Sequence, residues 1–146
     1  MKVHWQKPAD SNLVGGQIST MPLEWKITHS DRLVVAVGKG VVGLQDVERY
    51  LDDVMVAEAL PYRKIFDASQ ATSALTDQDM MMLGARMSAY IGLGPLGPIA
   101  IVAPATNVRQ QARLFAALAP ADRPLKIFKT VKAARTWLDA TPPAGN

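Results

Sequence analysis

The 146-residue chain contains no cysteine. This absence excludes disulfides, thiolate nucleophiles and cysteine-ligated metals, and it is typical of proteins from a reducing compartment. Long apolar runs are absent as well. None reaches the roughly 18 residues that a membrane span needs, and the first 22 residues lack the apolar core of a signal peptide. We therefore expect a cytoplasmic protein with no membrane span.

Histidine and aromatic residues are also scarce. The two histidines, His4 and His29, have no metal-ligand spacing, so we expect no metal site, and no motif calls for a cofactor. Aromatic residues make up 6% of the chain and do not alternate with basic residues, which argues against nucleic acid as a partner. Residues 105–146 carry seven basic and two acidic side chains. Solvated helix faces explain this excess, with a patch for an anionic partner as the alternative.

The pattern of strand and helix signals predicts an α/β fold in the order ββαβαβαβα. Alternating helices imply parallel strands, and the opening hairpin adds one antiparallel strand. We therefore expect a five-stranded mixed sheet with four helices. The predicted strands are Glu24–His29, Leu33–Val37, Arg63–Asp67, Ile99–Ala103 and Leu125–Lys129, and the predicted helices begin near Leu44, Thr76, Thr106 and Thr130.

The composition and the positions of the predicted elements divide the chain into three parts. Residues 1–22 mix polar residues with proline and glycine and predict a flexible N-terminal arm. Residues 23–140 hold all the regular elements and form the predicted domain. Residues 141–146, with two consecutive prolines, predict a disordered tail.

The most specific local signal lies between the third predicted strand and the second helix. The strand ends in an acid, a hydroxyl-rich loop follows, and Thr76 with Asp79 three residues later resembles a capping box. Loops at the carboxyl ends of parallel strands commonly carry binding sites. The sequence therefore predicts a binding or regulatory site in the 68–80 region. Its candidate residues are Asp67, Ser69, Thr72, Ser73, Thr76 and Asp77.

Two segments match the glycine pattern of dinucleotide-binding loops. Gly92–Gly97 follows a helix and precedes a strand, which is the wrong order, so it predicts a helix-ending loop. Gly38–Gly43 follows a strand and opens a helix, and the next strand ends at Asp67. A nucleotide-binding enzyme using these residues is therefore an alternative, although the β-branched pair at 41 and 42 would crowd a phosphate.

The second helix carries three consecutive methionines. Met80 falls on a core stripe with Leu83, Met87 and Ile91, whereas Met81 or the methionine after it must lie off that stripe. A neighbouring element covers that side chain, or it lies at the surface and serves a protein partner or an apolar ligand. Arg109 and Arg113 lie one turn apart near the start of the third helix. They are candidates for holding an anion, with plain solvent exposure as the alternative.

The order of elements resembles the STAS fold of bacterial anti-sigma-factor antagonists. The segments Gly40–Val47, Tyr62–Asp67 and Gly97–Val102 are similar to those of uncharacterised bacterial STAS-like single-domain proteins. In the antagonists a kinase phosphorylates a serine at the start of the helix, and the added charge releases a partner. The matching position here has Thr76-Asp77, with Ser73 three residues earlier, and it lacks the glycine that follows the serine in the antagonists.

The resemblance implies a non-enzymatic STAS-like regulatory or binding module that acts through the 68–80 loop and the second helix. Its partner would be a protein or a small apolar or anionic ligand, and a homodimer is an open alternative. The same broad fold group includes relatives of lipid-transfer domains. An apolar-ligand or lipid-binding carrier is therefore the second reading, and the nucleotide-dependent enzyme is the third.

Overall fold

The computed structural model describes residues 3–6, 13–14, 17–18, 21–118 and 123–145. The strands are β1 (Val3–Gln6), β2 (Leu13–Val14), β3 (Gln17–Ile18), β4 (Leu23–Thr28), β5 (Leu33–Val42), β6 (Arg63–Ser73), β7 (Ile99–Val102) and β8 (Leu125–Phe128). The helices are α1 (Leu44–Val56), α2 (Asp77–Ile91), α3 (Thr106–Leu118) and α4 (Val131–Asp139). The main sheet has the strand order β1-β4-β5-β6-β7-β8, and β2 pairs with β3.

The predicted five-stranded mixed sheet is confirmed. β4 and β5 form the antiparallel hairpin, and β5, β6, β7 and β8 pair in parallel in chain order. The structure adds a sixth strand, because β1 pairs antiparallel with β4 from Val3↔Thr28 to Gln6↔Trp25. This strand lies within the residues for which the sequence predicts an arm, and alternating strand signals are too short there to be recognised.

The helices are distributed unevenly over the two faces of the sheet. Alternate residues of a strand point to opposite faces, and Ile65, Ala100 and Val102 pack against α4. The other face of the sheet packs against α1, α2 and α3. Three helices share that face because the parallel strands follow one another in chain order, so each right-handed crossover passes on the same side.

Two helix starts agree with the threonine caps in the sequence, whereas Thr106 is already the first residue of α3. Thr76 caps α2 and exchanges hydrogen bonds with Asp79, as the capping box predicts. Thr130 caps α4 through the amide of Ala133, at 3.2 Å. α1 begins after Gly43, whose amide donates to the Asp46 carboxylate at 2.8 Å.

One packing prediction on the helices was wrong. Ile91, expected on the core stripe of α2, is 43% exposed, and the neighbouring Tyr90 is buried instead. Positions 90 and 91 lie at similar angles on opposite sides of the stripe formed by 80, 83 and 87, so spacing alone does not distinguish them.

The described part of the C-terminal segment lies against the domain. The amide of Ala144 donates to the Pro61 carbonyl at 2.9 Å, and Arg32 Nη2 donates to the Ala144 carbonyl at 3.4 Å. The sequence predicts a disordered tail for residues 141–146, and in the structure these contacts join Ala144 to the domain.

Candidate functional site: an apolar cavity behind the 68–80 segment

The predicted hydroxyl-rich loop is largely a strand. β6 does not end at Asp67 but continues through Ser73, because β5 also continues and pairs Lys39–Val42 with Gln70–Ser73. β7 stops pairing at Asp67↔Val102, so beyond that point β5 and β6 project past the sheet as a two-stranded ribbon. The loop that remains before α2 is only residues 74–76.

The predicted site residues are at the surface but do not converge on one point. Ser69, Thr72, Thr76 and Asp77 are exposed. The Asp67 carboxylate accepts from the amide of Ser69 at 3.0 Å. Ser73, which is half-buried, accepts from the amide of Leu75 at 3.1 Å. These hydroxyl and carboxyl groups hold the local backbone, and their role in binding stays a prediction.

We expect Thr76→Ala to lower the free energy of unfolding by about 1 kcal/mol, because the Asp79 amide loses its acceptor at the start of α2. Urea unfolding followed by circular dichroism measures this change. Thr72→Ala, on the exposed side of β6, is the matched control and should change stability by less than about 0.5 kcal/mol. Equal effects of the two substitutions would contradict the capping role.

The remaining candidate side chains lie on α2 and α3. Met81 is 60% exposed and Met82 50% exposed, so of the two alternatives for the side chain off the core stripe the structure agrees with the surface position. Arg109 donates from Nη1 to the Pro104 carbonyl at 3.0 Å, and Arg113 is exposed. Arg109 therefore interacts with the segment just before its own helix, and its anion-binding role stays a prediction.

The two glycine segments have different structures. Gly92–Gly97 lies between α2 and β7, as the sequence predicts for a helix-ending loop. Gly38–Val42, expected to leave the strand, instead continues β5 after an irregularity at Gly38. This segment does not form a phosphate-binding loop before a helix. The parallel strands also show no reversal of order, which is where dinucleotides bind in doubly wound sheets.

A cavity of about 130 Å³ lies between the sheet and α1, α2 and α3. Its walls are almost wholly apolar, with Phe66 from β6, Ile101 from β7, Val54 from α1, Leu83 from α2 and Phe115 from α3. The inner side of the 68–80 region also lines it. The residues of that region in the wall are Ala68, Ala71, Ser73, Leu75 and Met80.

Three polar side chains interrupt the apolar wall at one end of the cavity. Tyr50 and Lys64 are only 2% and 4% exposed, and Arg123 lies close enough for its charge to act on both. Lys64 Nζ donates to the carbonyls of Leu60 and Tyr62 at 2.5 and 2.8 Å. The Tyr50 hydroxyl and Arg123 Nε are buried without a hydrogen-bond partner.

Burial perturbs all three groups in the direction expected for an apolar site. It lowers the pKa of the Lys64 ammonium well below its ordinary value, and the charge of Arg123 lowers it further. Burial raises the pKa of the Tyr50 hydroxyl, an effect that Arg123 partly opposes. Burial also lowers the pKa of the Arg123 guanidinium.

Sequence reasoning missed this polar cluster. A signal was present at Lys64, because residues 64, 66 and 68 alternate on one side of β6, so the lysine shares its face with Phe66 and Ala68. Tyr50 falls one turn after Val47 and one before Val54, on the buried stripe of α1. Arg123 gives no such signal, since it lies outside a regular element.

Neither a metal-ligand cluster nor a membrane-spanning helix occurs among the described residues. No group of three or more histidine, aspartate and glutamate side chains there could hold a metal ion. Within the same residues, no helix has the length and apolar character needed to cross a bilayer.

The architecture is a mixed sheet opened by an antiparallel hairpin and followed by three parallel β–α units in chain order, an arrangement similar to the STAS fold. One similar solved structure is an uncharacterised protein of the DUF3478 family from Shewanella loihica PV-4, which is described as having a SpoIIAA-like fold. It is 15% identical, with a TM-score of 0.47 over 94% of this chain and 92% of that one. No family model and no curated protein matches the chain.

Proposed function

We propose that the chain is a non-enzymatic STAS-like module that binds a small apolar ligand in the cavity behind the 68–80 segment. The cavity carries this proposal, because protein interiors are close-packed and an apolar void of this size is costly to keep empty. Pockets with apolar walls and a few converging polar groups are the usual form of small-molecule sites. The lack of cysteine remains the basis for placing the module in the cytoplasm.

The size of the cavity limits the ligand. An engineered protein cavity of about 150 Å³ binds benzene, and the cavity here is about 130 Å³. One aromatic ring or a short alkyl chain therefore matches the space. A lipid with two long chains does not, so the carrier alternative is kept only in the form of a small apolar ligand.

The position of the cavity also suggests how a partner protein would detect a bound ligand. Ala71 and Ser73 of β6 line the cavity, whereas Ser69 and Thr72 of the same strand are exposed. A ligand would contact one side of a strand whose other side is the protein surface. We propose that a regulatory partner binds this outer side, so that the 68–80 region connects ligand binding to regulation.

We expect toluene and indole to raise the melting temperature of the native chain, because a ligand at a hundred times its Kd stabilises by about 2.7 kcal/mol. Ala112→Phe should abolish the shift, since Ala112 lines the cavity from α3 and is only 7% exposed. Differential scanning fluorimetry with a two-dimensional amide NMR spectrum of each variant gives the measurement. Ala117→Phe, on the exposed side of the same helix, is the control and should keep the shift.

A retained shift in folded Ala112→Phe would place the ligand elsewhere. If saturating ligand changes neither the melting temperature nor the amide chemical shifts of the native chain, the proposed function is wrong.

Protein-partner binding through α2 is the second candidate. The specific observation that favours it is the pair of exposed methionines, Met81 and Met82, next to the capped start of the helix. Met81→Glu should leave folding intact and abolish capture of a partner, whereas Ala133→Glu, exposed on α4 across the sheet, should not. Equal capture by both variants would argue against this surface.

A further inference from the structure

Two basic side chains, Lys64 and Arg123, lie together at the polar end of the cavity. Lys64 lies on β6 and is 4% exposed, and the charge of Arg123 contributes to lowering its pKa. Among the residues that the structure describes, no aspartate or glutamate forms an ion pair with either of them. The ion pairs given for that part of the chain join Arg86 to Glu48 and Asp52.

The hydrogen bonds of these cations satisfy donors without neutralising charge. Lys64 donates to two backbone carbonyls, and Arg123 Nη1 donates to the Gly97 carbonyl at 3.3 Å. Arg123 Nη2 approaches only the Met87 sulfur, at 3.7 Å. Within the described part of the chain, Arg123 Nε and the Tyr50 hydroxyl have no hydrogen-bond partner.

Such an arrangement is unfavourable unless something compensates it. Burying like charges together in an apolar site costs free energy, and buried unpaired polar atoms add to that cost. A water molecule could satisfy the Tyr50 hydroxyl and Arg123 Nε, but it would leave the guanidinium charge uncompensated and would not favour the ammonium form of Lys64. An oxyanion would do both, because a carboxylate accepts several hydrogen bonds and binds a guanidinium through two parallel ones.

We infer that the ligand of this cavity is a small hydrophobic carboxylate, with its charged group against Arg123 and Lys64, its oxygens within reach of the Tyr50 hydroxyl, and its apolar body between α2, α3 and the sheet. This inference rests on the proposed function and specifies the ligand class. The cavity volume of about 130 Å³ matches one ring or a short chain, so the charged group has to lie at the edge of that space, against the polar side chains. A phosphate monoester would also compensate charge, but its headgroup is larger than a carboxylate and leaves less of the cavity for an apolar body.

Matched ligands test the inference because they change only the charged group. Phenylacetate, 2-phenylethanol, phenethylamine and phenyl phosphate are titrated into the full chain by isothermal calorimetry at pH 7. Phenylacetate should bind at least about tenfold more tightly than the alcohol, since it alone completes the cation site. The amine should show no binding, and the phosphate should bind more weakly than the carboxylate.

Variants locate the charged group within the cavity. Arg123→Met and Lys64→Met should each lower phenylacetate affinity by at least about tenfold while leaving the alcohol within about threefold. Tyr50→Phe should have a smaller effect, because it removes one neutral hydrogen bond. Arg113→Met, an exposed cation on α3, is the control and should change neither affinity.

The ligand panel in the unmodified chain decides the inference even where a variant fails to fold. Equal affinity for the alcohol and the carboxylate would overturn it and leave the proposed apolar cavity standing. Tighter phenyl phosphate than phenylacetate would also overturn it, and would indicate a phosphate-bearing ligand. Loss of all binding, including that of the alcohol, toluene and indole, would instead remove the proposed function itself.

Discussion

Gly97→Ala is expected to lower the free energy of unfolding by about 3 kcal/mol or more, because it forces backbone apart at a close crossing. A Cβ at this position would overlap the Tyr62 carbonyl oxygen and lie 2.5 Å from that of Pro61. Flexible side chains can move aside, but these are backbone atoms. The same crossing is held by the Gly97 amide, which donates to the Leu60 carbonyl at 2.9 Å.

Urea unfolding of the variant measures the loss, with Gly92→Ala as the matched control. Gly92 has a helical φ of −67°, and the nearest atom to an added Cβ there is 3.5 Å away. That control should change stability by less than about 1 kcal/mol, and any gain comes from the reduced chain entropy of the unfolded state. Equal stability of both variants would contradict the close approach at Gly97.

The crossing at Gly97 also connects the fold to the candidate site. The Gly97 carbonyl accepts from Arg123, and the segment that it crosses, Leu60–Tyr62, supplies the carbonyls that hold Lys64. Displacing this backbone therefore moves both cations of the cavity. We expect any folded fraction of Gly97→Ala to bind phenylacetate more weakly than the native chain, whereas Gly92→Ala should bind it normally.

The sequence allowed the order of elements to be predicted because local signals set it. The threonine caps, the apolar run at Ile99–Val102 and the alternation in β4 are all short-range patterns. The length of β5 and β6 was not predictable in this way. Residues 38–42 and 68–73 are rich in glycine or hydroxyl residues, which usually mark loops, and they become strand only because each pairs with the other.

The candidate site was predictable only in part for the same reason. The sequence indicated the 68–80 region as a site, but Ser69 and Thr72 are exposed there, whereas Ala68, Ala71 and Ser73 line the cavity. The convergence of Tyr50, Lys64 and Arg123 depends on three segments far apart in sequence. No local pattern can place a residue such as Arg123 beside a lysine 59 positions earlier, because only tertiary packing brings them together.

The burial of Lys64 predicts a specific dependence of stability on pH. Its pKa in the folded chain is lowered, so below about pH 10.4, the ordinary lysine pKa, the unfolded chain binds more protons than the folded one. Stability therefore rises with pH through the window between the lowered pKa and that ordinary value, by at most about 1.4 kcal/mol per pH unit. Tyr50 limits this rise of stability at high pH. Burial raises its pKa, so its contribution to the free energy of unfolding falls above about pH 10.

Lys64→Met isolates this contribution when the free energy of unfolding is measured in urea between pH 6 and pH 10. The substitution leaves the Leu60 and Tyr62 carbonyls without their Nζ donor, at a cost of about 1–3 kcal/mol that does not vary with pH. The slope is therefore the quantity to compare: the native chain should gain stability relative to the variant as pH rises to about 10. Lys132→Met, exposed on α4, should follow the native slope.

A bound carboxylate should suppress this slope, which connects stability to the inferred ligand. An anion beside Lys64 favours the ammonium form and raises its pKa toward the ordinary value, so folded and unfolded chains then bind similar numbers of protons. Saturating phenylacetate should therefore flatten the pH dependence of the native chain, and calorimetry in buffers of different ionisation enthalpy should detect proton uptake on binding. Lys64→Met should show neither effect, and an unchanged slope in the liganded native chain would separate the lysine from the ligand.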